Sequence, residues 1–347
     1  MIVVALRQFR GRAAVAGVGL AALAVAVAVA GPQVVHAYDT QVAHCARYGD
    51  CGLAVATFRA QYRVVFAWLD VVVVAVPALA GVFWGAPLVA RELETGTFRL
   101  AWTQGVSRTR WLLTKLAVVG AGAIAVAGLA SVLVASAAGP LDKVAGTPFA
   151  SFATRGVVPL GYAAFAFALG VLAGVVLRRT LPAMAVALVG LVAARVAVTL
   201  WVRPQLIAPR VLDTTQLAVG PWAASPGVPP GAWVLSQSVV DRAGTVLATS
   251  GGLGGSALPI GLGPGGVQLG GAGSCPNLRV TPDAVPDPRS VQALVQRCGA
   301  QLHLHELVRY QPAARYWPLQ LEELALFVAG ALVLGAASWW WVRRRLR

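Results

Sequence analysis

The chain has 347 residues, 58% of them hydrophobic and 12% charged. Soluble domains carry about 25% charged residues, so a soluble globular class is excluded and lipid is the solvent this composition demands. The net charge is +15 and 26 of the 28 basic residues are Arg, yet these charges flank apolar blocks rather than forming a stripe, which excludes nucleic acid as their partner.

A helix crosses a bilayer with roughly 20 apolar residues. The first such block runs from Ala13 to Ala30. Its Ala/Val alternation mimics a strand, but its unbroken length predicts a helix. Arg7, Arg10 and Arg12 ahead of it, with Val35-His36-Ala37 behind, also fit a cleavable signal peptide. Signal cores span about 7–15 residues, so the longer block favours an uncleaved span. Residues 31–63 form a first outer loop holding Cys45 and Cys51. The second span runs from Val64 to Ala86, with Asp70 near its outer end and Pro77 expected to kink it.

The stretch after this span carries chemistry. Pro87 opens a helical turn, and Leu88, Arg91 and Glu92 share one face. Gly96 ends the turn, Phe98 to Trp102 reads as an amphipathic piece on the inner leaflet, and Ser107 is the N-cap of span three. Two carboxylates, Glu92 and Glu94, in a basic loop exceed what charge orientation alone requires. They can pair with Arg91 and Arg99, or with a partner.

The third span runs from Trp111 to Ala137, the fourth from Val157 to Leu177, and the fifth from Leu181 to Val202 with Pro182 at its start. Gly120-x-Gly122 and Gly170-x-x-x-Gly174 permit close helix packing. Arg195 lies inside span five; at 1.5 Å per residue it and Asp70 both sit about 9–10 Å below the outer edge. That depth match allows an intramembrane Asp70–Arg195 pair; separate snorkelling to the interface is the alternative.

Residues 203–320 form a long outer segment. Gly251 to Gly273 reads as a flexible linker, and Ser290 to Trp317 as a short helix and strand. Cys275 and Cys298 join Cys45 and Cys51 outside, where oxidation favours disulfides. Four cysteines allow three connectivities; Cys45–Cys51 with Cys275–Cys298 is the simplest, and free thiols are the alternative. His303, His305 and Glu306 lack a third ligand at zinc spacing, so no metal is expected. Glu322 and Glu323, at the start of the last span, Leu324 to Val342, read as solvated charges or as helix N-terminal charges.

Arg and Lys set the orientation. With both termini cytoplasmic, the inner segments hold 14 basic residues, the two short outer loops five and the long segment eight. Long segments translocate largely regardless of charge. Eight of the eleven Trp then fall at predicted membrane interfaces. The expected architecture is an all-α membrane protein of six transmembrane helices with a large extracytoplasmic loop domain.

Arg91-Glu92-x-Glu94-x-Gly96-Thr97, followed by Ser107-Arg108 and Lys115, resembles the signature of ABC-2-type permeases, the membrane subunits of ATP-binding-cassette exporters. Tyr310 to Gln320 resembles the end of the outer domain in actinobacterial members. The resemblance implies a plasma-membrane permease, homodimeric or heterodimeric, in contact with lipid, whose residues 87–104 dock on a separate ATPase. Glu92 and Glu94 would contact that ATPase or brace the docking helix, Gly96 and Thr97 would shape the turn, and Arg108 and Lys115 would anchor span three at the headgroups. The outer segment is longer than family members often have. The only lysines, Lys115 and Lys143, follow Thr114 and Asp142, so neither belongs to a phosphate-binding Gly-Lys-Ser/Thr loop. No acid/base or nucleophile constellation stands out; no enzyme activity and no cofactor are expected. The competing class is a sensor or assembly protein acting through residues 203–320.

Overall fold

A computed structural model describes residues 2–45, 51–96, 107–217, 227–251, 260–263, 266–269, 274–278 and 288–345. The chain divides into two compact units, one formed by Met1–Leu206 with Trp317–Arg347, the other by Ile207–Tyr316.

In the first unit, six helices among the described residues are long and apolar enough to cross a membrane. Helix α1 (Ile2–Ala37) runs into a π-helical turn at Tyr38–Ala43. Helix α2 (Gly52–Leu79) contains Pro77. Pro77 has no N–H to donate, and its ring crowds the preceding turn. The helix widens just beyond it into a π-helical turn at Ala80–Gly85 and resumes as α3 (Ala86–Thr95). The other spans are α4 (Arg108–Ala137), α6 (Val158–Leu177), α7 (Thr180–Ala197) and α10 (Tyr316–Arg345). A short α5 (Gly139–Ala145) follows α4, and a π-helical turn leads α7 into α8 (Arg203–Leu206). As the sequence suggests, Ser107 caps α4, its Oγ accepting from Arg110 N at 3.3 Å.

The tightest packing joins the π-helical turn to α6. A methyl group on Gly81 would lie 2.7 Å from the Ala166 carbonyl oxygen, and one on Gly85 2.5 Å from that of Phe167. Reciprocally, one on Gly174 would lie 2.5 Å from the Ala86 oxygen, and one on Gly170 would overlap that of Gly81. Two Gly-x-x-x-Gly pairs thus interlock backbone to backbone, as small-residue spacing permits. The sequence exposes the Gly170/Gly174 half; the Gly81/Gly85 half is hidden by the proline-bearing span.

The Phe58 ring meets Tyr38 edge-on and Tyr62 at a tilt, beside Val34, Val42 and Val144, and Cys45 is bonded to Cys51.

The second unit corrects the all-α expectation. Its four-stranded antiparallel sheet has the order β1-β7-β2-β3, from β1 (Arg210–Thr214), β7 (His305–Gln311), β2 (Trp233–Val240) and β3 (Val246–Gly251). A smaller sheet pairs β4 (Ile260–Gly263), β5 (Gly266–Leu269) and β6 (Ser274–Cys275). Strands therefore occupy part of the stretch read as a linker. Helix α9 (Pro288–Gln301) and β7 are the helix and strand expected there. Leu217, Val239, Val267, Leu269, Val295 and Leu304 form the core around the Cys275–Cys298 disulfide. His305 faces Asp213 at 3.3 Å and His303 sits in a left-handed turn. Among the described residues no cluster could hold a metal.

Candidate functional site

Helix α3 positions the residues singled out after span two. Pro87 occupies its first turn, where a missing N–H costs nothing. Ala86, Pro87, Leu88, Val89 and Ala90 are all buried, and a methyl on Gly174 of α6 would meet the Ala86 and Ala90 backbone. The polar half follows: Arg91 and Glu94 are exposed, Glu92 is half-buried. Gly96 stops the helix at φ +73°, a left-handed conformation that a side chain would strain. Thr97, and the rest of the segment to residue 104, lie outside the described residues.

Both carboxylates turn back onto the chain's own spans. Glu92 Oε1 accepts from Lys115 Nζ of α4 at 2.5 Å, and Lys115 also lies over the Trp111 ring, 4.6 Å from its centroid. This corrects the headgroup role expected for Lys115, which is only 6% exposed. A buried ammonium is tolerated only with a charge partner and hydrogen bond, and Glu92 supplies both. Arg12 of α1 adds positive charge near Glu92 and Lys115. Glu94 Oε2 accepts from the Thr180 hydroxyl at 2.6 Å and from the Thr180 backbone N–H at 3.3 Å. Thr180 opens α7, so a carboxylate from α3 caps the positive end of another span. Among the described residues the Arg91 side chain makes no such tie and is exposed, while its carbonyl accepts from Thr95 Oγ1 at 2.9 Å.

The same end of the unit carries the Trp-Trp-Trp-Val-Arg-Arg-Arg terminus of α10. Arg343, Arg344 and Arg345 lie over Trp339, Trp340 and Trp341, each pair four residues apart. The Trp339 indole N–H donates to Thr109 Oγ1 of α4 at 3.3 Å.

At the other end lies a buried ionic cluster that differs from the expected Asp70–Arg195 pair. Among the described residues no ion pair joins those two. The Arg195 guanidinium instead lies over the Tyr162 ring, 4.3 Å from its centroid, because the aromatic face lies on the neighbouring span. The acid in this cluster is Glu323 of α10, fully buried rather than solvated. Arg203 grips it with two bonds, Nε to Oε2 at 2.7 Å and Nη2 to Oε1 at 2.9 Å, and Tyr162 O–H donates to Oε1 at 2.5 Å. Such bidentate, fully satisfied geometry offsets the desolvation of both charges. One turn earlier, Gln320 Oε1 accepts from the Val157 and Val158 N–H groups, both at 3.1 Å, while its Nε2 donates to the Phe152 carbonyl at 2.8 Å. Span six thereby caps span four. Gln320, Glu323 and Phe327 share a helix face, a polar pattern at i, i+3 opening an apolar span; that signal was present in the sequence.

No curated protein and no solved structure matches the chain. A family model described as ABC-2 membrane transporter related matches residues 17–203, more than half of the 347 residues, including most of span one, spans two to four, all of α3 and span five as far as Arg203. With six membrane-length apolar helices and a carboxylate-bearing helix pinned to three of them, the chain belongs to the ABC-2 membrane transporter related family.

Proposed function

We propose that this membrane transport protein is the permease subunit of an ATP-binding-cassette exporter, driven by a separate ATPase that docks on α3 and the residues that follow it. The observation that carries this reading is the construction of α3. One half is seated against α6, its two carboxylates tie to α4 and α7, and Arg91 is left facing outward. A push on this helix reaches three spans at once. In this reading the termini and α3 are cytoplasmic, the 207–316 unit is extracytoplasmic, the membrane is the plasma membrane, and two permeases assemble around the path. The excess of Arg and Lys on the α3 side supports that orientation.

The test is co-purification with an ATP-binding-cassette ATPase. Arg91→Glu is expected to lower recovery of the ATPase about tenfold, the effect of losing one charge-assisted contact. Unchanged recovery would count against docking at α3, and labelling that placed position 91 outside the cell would end the transporter reading.

A further inference from the structure

A membrane-facing groove of 720 Å³ runs between α4, α6 and α10, lined by Leu113, Gly120, Phe167, Leu332, Gly335 and Trp339. Its walls are almost wholly apolar. The polar groups of Thr109 and Trp339 at its end satisfy each other through the indole N–H, so nothing in it asks for water or a polar solute. Along α4 the groove extends from Thr109 to Ile124, roughly 22 Å at 1.5 Å per residue. That is about half of a bilayer counted with its headgroups, the depth of a single leaflet.

Charge is concentrated at one mouth. Arg110 is exposed and continues the helix face of Leu113, and Arg343 stacks over Trp339, 5.5 Å from the ring centroid. None of the three walls answers with a carboxylate: the sequence has no Asp or Glu from Arg108 to Ala137, from Val158 to Leu177 or from Leu324 to Arg345. An apolar trough of leaflet depth, ending beneath guanidinium groups, matches a molecule with a long hydrocarbon tail and an anionic head. We propose that this groove is a binding site for an anionic phospholipid, one acyl chain lying against Gly120 and Gly335 and the phosphate held by Arg110 and Arg343.

The experiment titrates the full-length protein in detergent with phosphatidylglycerol and with phosphatidylcholine of the same chains, and counts retained lipid by native mass spectrometry. One phosphatidylglycerol is expected to be held in preference. Gly335 has nothing within 4 Å of an added Cβ, so Gly335→Leu fills the trough without a clash and is expected to remove that lipid. Arg110→Gln and Arg343→Gln are expected to weaken phosphatidylglycerol roughly fivefold each and to leave phosphatidylcholine unchanged. Equal retention of the two lipids by the native chain, or wild-type retention by Gly335→Leu, would overturn the proposal. So would oxidative cross-linking of two Gly335→Cys chains, which would give the groove to a second copy.

Discussion

Lys115 and Glu323 are buried charges within the helix bundle, and each has one partner of opposite charge, Glu92 and Arg203. Removing the partner leaves a buried charge unpaired, which costs about 3–5 kcal/mol. Glu92→Leu is therefore expected to lower the thermal unfolding temperature in detergent, and Glu92→Leu with Lys115→Met to recover most of the loss, as a double-mutant comparison would show. If the pair carries motion from α3 into α4, the double variant regains stability but not transport. Tyr162→Phe removes one hydrogen bond to the Glu323 carboxylate and is expected to cost about 1.5–3 kcal/mol, whereas Arg203→Met should cost more. These partners were hard to read in the sequence. Glu92 and Lys115 are 23 positions apart, and Arg203 and Glu323 are 120 apart. Matching depth between spans suggested Asp70 for Arg195, but depth says nothing about which helices are neighbours or which way a side chain faces.

Elements were far more legible than contacts. Apolar runs of membrane length stand out whatever surrounds them, so spans three and four, read as Trp111–Ala137 and Val157–Leu177, match α4 and α6 within three residues. Span one extends well past its apolar block, to Ala43, because polar residues at a helix end need not break the helix. Pro77 was visible, but the wide turn after it, which brings Gly81 and Gly85 onto α6, was not. Substituting Gly170 by Leu forces a side chain into the Gly81 carbonyl and is expected to abolish the folded, detergent-stable fraction in size-exclusion chromatography. Gly139→Leu, at a position with nothing within 4 Å, should leave that fraction unchanged. The strands of the 207–316 unit were less legible. Short strands such as β4 and β5, with Gly at three of their eight positions, give no clear alternation, and their partners are set by the sheet rather than by local preference.

At the scale of the whole molecule, one chain combines a lipid-solvated bundle with a unit that has its own water-type core. The second unit depends on a covalent link. The Cys275–Cys298 bond closes a loop of separation 23, for which chain entropy gives about 3 kcal/mol. Cys275→Ser with Cys298→Ser is expected to increase protease cleavage within residues 207–316 while leaving the spans folded, which limited proteolysis with mass mapping would separate. The sequence placed these cysteines together only as the simplest of three pairings; the core around them is assembled from β2, β5, α9 and the loop at Leu217, which no local pattern connects.

The interlocked glycines set a mechanical rule for this transporter. Where side chains separate two helices, rotamers can rearrange and the helices can slip past each other like greased rods. Here carbonyl oxygen meets α-carbon with no cushion between them, so the second half of span two and the second half of span four behave as a keyed shaft. Whatever torque arrives at α3 turns both together, and compliance in the bundle must come from other seams.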